Sequence, residues 1–306
     1  MSPPGTPRGA PGATRGGPGH ALAVAELLIR GAAVVDPEGG VEPRSILVRG
    51  ERIAGILAPD VPPPAGVQVL DARGLHVFPG VVEPHAHLGY GGADMAGHFE
   101  SETASAALGG ITTVINIYRQ YGRAASPYDE LGGALRACEA RARVDFAVHL
   151  ALLLEDHVRS IPRYVAEHGI RSFKFYMAYR GEDGRQIGMT NEIDDGLLVE
   201  ALSAIAAAPG GVACFHCENT EVINRVARRL RAEGRQGLAA WSASRPAYAE
   251  AESIHRAAVL GAAAGFSLWE GWPLRGWPVL TMVRGSVVMD KGEVVGKPGF
   301  GRYLPR

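Results

Sequence analysis

Charge of one sign is the first thing missing from this chain. Against 31 Lys and Arg stand 32 Asp and Glu, a formal net charge of -1 and a pI near 6.8. No global field therefore draws nucleic acid or an anionic membrane, and the expected partners are small molecules or further copies of the chain. Cysteine is scarce too. Cys138, Cys214 and Cys217 are too few and too unevenly spaced for a secreted disulfide framework, so a cytoplasmic location is expected. Cys214 and Cys217 do spell C-x-x-C, but within an apolar run a separation of three sends the two sulfurs to opposite faces of a strand, which argues against a thiolate or redox pair. Long hydrophobic runs are absent as well: no stretch approaches the ~20 apolar residues of a membrane-spanning helix. The short run 21–29 is interrupted by Glu26 and has no small-residue cleavage site after it, which argues against a signal peptide.

With 46% hydrophobic and 21% charged residues, the chain has the balance of a globular protein with one sizeable core and a smaller domain. Residues 1–24 are dominated by Pro and Gly, cannot build a core, and are expected to form a disordered tail. From 25 to 76 short strands alternate with Gly, Pro and Asp-Pro turns. A matching pattern returns at 273–306, where Asp290-Lys291-Gly292 reads as a hairpin turn. The two ends are expected to pair into one small β-sandwich domain, with 77–272 inserted between them.

The inserted region alternates strands and helices. Candidate strands cover 77–82, 112–117, 146–153, 172–177 and 212–217; helical patterns cover 102–108, 128–143, 157–168 and 192–207, the signature of parallel strands with crossover helices. Asn191 and Asn219 read as N-caps, the latter for a helix over 221–233 that Gly234 ends. Arginines 225, 228, 229, 231 and 235 on that helix read as a solvated face. A full (β/α)8 barrel takes eight strands and about 250 residues. Five strands fall short of it, so the α/β fold expected is an incomplete TIM-like barrel.

The chemistry-bearing residues sit at strand ends. PGVVEPHAHLG (79–89) is an apolar strand ending in His85 and His87, and side chains two apart on a strand share a face, so both imidazoles can meet one metal ion. Ten histidines would produce roughly 0.3 such pairs by chance, so the pair alone decides little. Lys174, in SFKFYM (172–177), is flanked by Phe and Met. An isolated buried ammonium is costly, which lowers the amine's pKa and leaves it nucleophilic enough to take up carbon dioxide as a carbamate. An edge-strand lysine reaching solvent is the competing reading. His216 ends the strand of VACFHCEN (212–219) just before a capped helix, at the barrel face where active sites form, although a hydrogen-bonded core histidine is the commoner role.

Taken in order, these segments resemble the amidohydrolase superfamily and, within it, the hydantoinase/dihydropyrimidinase group of cyclic amidases. PGVVEPHAHLG matches the family's HxH strand, SFKFYMAYRG (172–181) its carboxylated-lysine strand and FHCEN (215–219) its third-histidine strand; 242–265 and 270–306 resemble later portions. The resemblance implies two divalent metal ions, zinc by family habit. His85 and His87 would hold one, His216 the other, and carboxylated Lys174 would bridge them. It gives Tyr179 the role of a substrate-binding and catalytic residue that hydrogen-bonds the substrate carbonyl and stabilises the oxyanion. The reaction implied is hydrolysis of a cyclic amide C–N bond in a homo-oligomer, with allantoinase- or dihydroorotase-type activity, or a catalytically silent binding or assembly protein, as alternatives.

Departures from the family are as informative. Its fourth metal-binding histidine and its metal-binding aspartate have no counterpart here, because Gly265 is followed almost at once by sequence of the family's C-terminal portion. His255, in an Ala-rich helical pattern, and Asp290, in a turn, are not substitutes, and Glu83 stands where the family more often has Asp. Impaired activity is therefore expected.

Overall fold

The computed structural model describes residues 26–89, 94–119, 128–179, 184 and 193–263, together with the backbone of 280–283, 286–290 and 293–294. The tail expected over 1–24, the Asn191 cap and the Lys291-Gly292 turn lie outside them.

Two compact units divide the chain near Val81. In the first, β1 (Glu26–Asp36), β2 (Gly40–Arg49) and β3 (Arg52–Leu57) form an antiparallel meander, and β4 (Gln68–Asp71) and β5 (His76–Val77) run parallel to β1. Leu28, Ala32, Ile46, Leu47 and Ala72 are its buried apolar residues. Ser45 is buried among them with its hydrogen bonds satisfied: its hydroxyl accepts from the Gly31 amide at 3.0 Å and donates to the Pro59 carbonyl at 3.0 Å.

The second unit is built on a five-stranded sheet in sequence order: β6 (Val81–Ala86), β7 (Ile111–Tyr118), β8 (Asp145–Ala151), β9 (Ser172–Tyr176) and β10 (Val212–His216). The ladders from β7 to β10 are parallel. Helices fill the crossovers: α1 (Met95–Leu108), α2 (Leu131–Glu139), α3 (Glu155–Arg159), α4 (Ile161–His168) and α5 (Asp195–Ala206). After β10 come α6 (Thr220–Ala232), α7 (Gly237–Ala243) and α8 (Ala247–Ala263). This is the part-barrel expected, with β6 and β10 at its two ends among the described strands.

Period-two alternation sorts the strands. Val148, Leu150, Phe173, Phe175 and Ala213 point outward into the main core with helix residues Leu131, Ile161, Tyr164, Leu198 and Leu202. Ile117, Ala151 and Tyr176 point the other way and gather with Leu153 and Leu154. Lys174 lies between Phe173 and Phe175, so it belongs to this inner face.

Several boundaries move for local reasons. The expected strand over 77–82 is two strands, one ending at Val77 in the first unit and one starting at Val81 in the second. The helix expected over 157–168 breaks into α3 and α4 at Ser160, two residues before Pro162, whose ring cannot sit inside a continuous helix. For α5 the cap is Asp194, whose carboxylate accepts from the Leu197 amide at 2.8 Å. Asn219 does cap α6, accepting from the Val222 amide at 3.1 Å. The far end of α6 closes as a Schellman motif, with Gly234 at φ 71°, its amide bonded to the Arg231 carbonyl and the Arg235 amide to the Leu230 carbonyl. β11 (Leu280–Val283), β12 (Ser286–Asp290) and β13 (Glu293–Val294) form an antiparallel sheet of their own, with Asp290 and Glu293 opposed across the expected turn.

Candidate functional site

His85 and His87 lie at and just past the C-terminal end of β6, and their side chains converge: the two Nε2 atoms are 3.1 Å apart. Two nitrogens at Zn–N distances of 2.0–2.1 Å around a tetrahedral ion stand about 3.3 Å apart, so the pair is spaced to share one ion. The backbone that presents them is tied down on both sides. Glu83 turns its carboxylate to the His85 amide at 2.8 Å, the Leu88 amide donates to Asn116 Oδ1 at 2.7 Å, and the Gly89 amide donates to His98 Nδ1 at 3.2 Å. Burial is the main reason both imidazoles are held below the ordinary histidine range, followed by the Lys174 charge for His85 and the His85 charge for His87. His87 falls to about 4. At neutral pH both rings are uncharged and offer lone pairs, as metal ligation requires.

Lys174 does not reach solvent from an edge. β9 is flanked by β8 and β10, with Ala151 on one side and Cys214 on the other as its Cα partners, and the residue is only 4% exposed. Loss of hydration pushes its pKa down, partly countered by the Cys214 and Cys217 thiols, and its Nζ lies 5.4 Å from the centre of the Tyr176 ring.

His216 ends β10 level with Tyr176 on β9. Its Nε2 is 2.8 Å from Glu218 Oε2, and the other Glu218 oxygen is 3.6 Å from Arg245 Nε. That guanidinium stacks 3.8 Å over the Trp241 ring. Tyr179 meets His216 edge-on with ring centroids 5.0 Å apart. Its φ of 62° is left-handed, a conformation that is unfavourable for a bulky side chain by roughly 1–2 kcal/mol and that gathers at functional sites. A cavity of about 670 Å³ opens beside it between α6 and α7, lined among others by Tyr179, Glu218, Asn224, Trp241 and Arg245. Its volume suits a small ring, and it reaches the neighbours of His216 but not His85, His87 or Lys174.

Among the described residues no three His, Cys, Asp or Glu side chains converge into a metal cluster. The structure therefore brings His85 and His87 together, buries Lys174 on the same inner face and sets His216 against Tyr179 and Glu218. His255 lies on α8, and the junction after Gly265 falls outside the described residues.

Two polar residues of this face were not picked out from the sequence. His149 interrupts β8 as Lys174 interrupts β9, and the same signal, a titratable side chain in an apolar run (DFAVHLALLL, 145–154), would have found it. Arg119, buried just beyond β7, has its guanidinium 5.5 Å from the Tyr176 ring centre; a lone Arg at a strand end gave no signal.

No family model matches the chain. Individual proteins do. It is 32% identical over 213 residues to a D-hydantoinase of Geobacillus stearothermophilus, covering 67% of this chain and 42% of that protein. To an L-hydantoinase of Paenarthrobacter aurescens it is 32% identical over 251 residues, 79% of this chain and 51% of the other. To an allantoinase of Deinococcus radiodurans it is 32% identical over 246 residues, 79% and 52%. Among solved structures, an L-hydantoinase (dihydropyrimidinase) from Arthrobacter aurescens superposes with a TM-score of 0.67 at 30% identity, covering 78% of this chain and 51% of that one. The chain spans about half the length of the relatives it matches.

Proposed function

Because the chain belongs to the hydantoinase group of the amidohydrolase superfamily, we propose that its inner barrel face is a metal-dependent site for hydrolysis of cyclic amide C–N bonds. The observation that carries this reading is the 3.1 Å approach of His85 Nε2 and His87 Nε2 at a strand end, with the buried amine of Lys174 on the same face.

In this reading His85 and His87 would hold one divalent ion, zinc by family habit, and Lys174 would be the next ligand. The buried Lys174 amine, whose loss of hydration lowers its pKa, would on taking up carbon dioxide with release of one proton offer carbamate oxygens as further ligands. His216 would be the residue to hold a second ion. Divalent ions, when bound there, would lower the pKa of a water and polarise a carbonyl.

The remaining work falls to the chain. Tyr179, in its left-handed conformation beside His216, would donate its hydroxyl to the ring carbonyl as negative charge develops on it. Glu218 fixes the His216 ring, Arg245 holds Glu218 in turn and Trp241 stacks on Arg245, beside a cavity of ring size. The cyclic amide's leaving nitrogen needs a proton, and the aspartate that the family resemblance would supply for it has no counterpart in this sequence. A missing general acid or base typically lowers a rate by 10²–10⁴-fold, so turnover is weak. The same reading carries the domain division at 25–76 with 273–306 and 77–272, a homo-oligomer, and a reducing cytoplasm, the last supported by three cysteines outside any disulfide. Among the described residues no helix is long and apolar enough to cross a membrane.

The test is metal content together with dihydrouracil and hydantoin hydrolysis on the purified chain. Zinc or cobalt is expected to bind and to be lost in His85→Ala/His87→Ala, with hydrolysis far below that of full-length relatives. Undiminished metal binding in the double variant overturns the site, and turnover near that of the relatives overturns the impairment.

A further inference from the structure

Beneath the histidine pair the inner face carries a cluster that the proposed chemistry does not use: His149 on β8, Ser172 at the start of β9 and Cys214 on β10. His149 Nε2 is 3.0 Å from the Pro84 carbonyl on β6, and its Nδ1 is 2.6 Å from Ser172 Oγ. Cys214 Sγ stands 3.7 Å from His149 Nδ1 and 3.6 Å from Ser172 Oγ. Donor logic orders these bonds. A carbonyl oxygen only accepts, so the His149 proton sits on Nε2 and is donated to Pro84 O. In the neutral ring Nδ1 then accepts from the Ser172 hydroxyl, which in turn accepts from the Cys214 thiol. If the thiol proton moves to Nδ1, the bond to Pro84 is unchanged, so the tie to β6 does not depend on where that proton is.

The positions of the partners matter more than their number. Pro84 immediately precedes His85, Ser172 lies two residues before Lys174 on the same face, and Cys214 lies two before His216 on the same face. Ile117 of β7 is the Cα partner of His149, so the imidazole reaches past that strand to the backbone of β6. One side chain thus touches the immediate neighbourhood of every candidate ligand. In a closed barrel the ring of strands itself sets their relative heights. Here the described sheet is open, with β6 and β10 at opposite ends.

Resting on the metal-site reading above, we propose that His149 is the positioning residue of the centre: it straps β6 to β9 and β10 across the inner face and so fixes the height of His85 and His87 against Lys174 and His216. It touches no ion and no substrate. Its effect is on geometry, in the manner of the outer hydrogen bonds that orient metal ligands and whose loss typically weakens metal affinity 10–100-fold.

Two measurements on the full chain test this, one of them without metal. Hydrogen exchange of the metal-free protein is followed in peptides spanning 81–88 and 172–176, and cobalt(II) affinity is measured by titration. His149→Phe fills the space without hydrogen bonds; His149→Gln keeps a donor for the Pro84 carbonyl. The expected result is exchange in 81–88 at least about tenfold faster in the Phe variant, close to parental in the Gln variant, and cobalt binding about 10–100-fold weaker in the Phe variant. Urea unfolding of both variants separates this from global destabilisation, and if the Phe variant does not fold, the Gln variant is judged by exchange in 81–88 against 172–176. Parental exchange in 81–88 of a folded Phe variant overturns the proposal. Absence of cobalt binding by the parent overturns the metal-site reading instead, and exchange alone then decides for His149.

Discussion

Replacing Lys174 by methionine should separate stability from function at the residue on which the proposed site depends most. The side chain is 4% exposed, with desolvation as the main cause of its lowered pKa, and its visible compensations are the Cys214 and Cys217 thiols and a ring contact at 5.4 Å. Taking an ammonium out of water carries an effective penalty of several kcal/mol, and a desolvated cation over an aromatic face recovers about 2 kcal/mol. Methionine keeps the length and volume of the stem without the charge. The metal-free Lys174→Met protein should therefore be more stable than the parent by about 1–3 kcal/mol at pH 7, within the range seen when buried ions give way to apolar residues. The sign of the pH dependence is fixed as well. A lysine whose folded pKa lies below its unfolded value binds fewer protons in the folded state, so parental stability rises with pH from the folded pKa up to about 10.4. In the variant that rise is absent, and the two stabilities converge toward pH 10. Urea unfolding between pH 6 and 10, with metal content measured in parallel, checks both halves. A variant less stable than the parent at pH 7 with an unchanged pH slope refutes the argument, because the amine would then be hydrated in the folded chain.

Arg245→Ala removes both the Glu218 ion pair at 3.6 Å and the stack on Trp241 at 3.8 Å; a loss of about 1–2 kcal/mol in urea unfolding is expected, Arg245→Lys should fall between parent and Ala, and an unchanged midpoint contradicts the linkage. Gly211→Ala puts a Cβ onto the Ile205 carbonyl oxygen and Cγ2 just before β10, so it should destabilise by about 1–3 kcal/mol, and a neutral effect by thermal melting would show the α5–β10 turn to be looser than drawn. Thiol chemistry should rank the cysteines: burial raises Cys138 to about 11, whereas Cys214, though burial raises it, is left below its ordinary value by hydrogen bonding with His149 and Ser172. In native protein at pH 8 iodoacetamide should modify Cys138 last, with the difference vanishing in urea; early labelling of Cys138 would overturn the ordering. Tyr179→Gly should cost little stability, since relief of the left-handed strain offsets lost ring contacts, yet it should abolish any residual hydrolysis, and full activity in this variant would remove Tyr179 from the site.

How much of this was legible beforehand depended on the physics involved. Short-range rules carried the strands around Lys174 and His216, the Asn219 cap and the αL end at Gly234, because each rests on side-chain alternation or on a single backbone conformation. They failed where two local signals competed. The expected 77–82 strand merged two strands belonging to different units, and the 157–168 helix ignored the break that Pro162 imposes. At the site, the HxH spacing alone puts His85 and His87 on one face. His149 went unremarked although its strand has the same form, because a lone histidine in an apolar run has no distinguishing spacing.

By itself, then, the sequence determined on which face of which strand the candidate residues lie, since that depends only on the two-residue period of a strand. Only the tertiary structure decided which of them meet. It closed His85 and His87 to 3.1 Å, turned Lys174 from a possible solvent-facing edge residue into a buried amine, and handed the Nε2 atom of His216 to Glu218. Those outcomes depend on which strands become neighbours and how the sheet curves, and distances across a curved sheet are not encoded in any local run of residues.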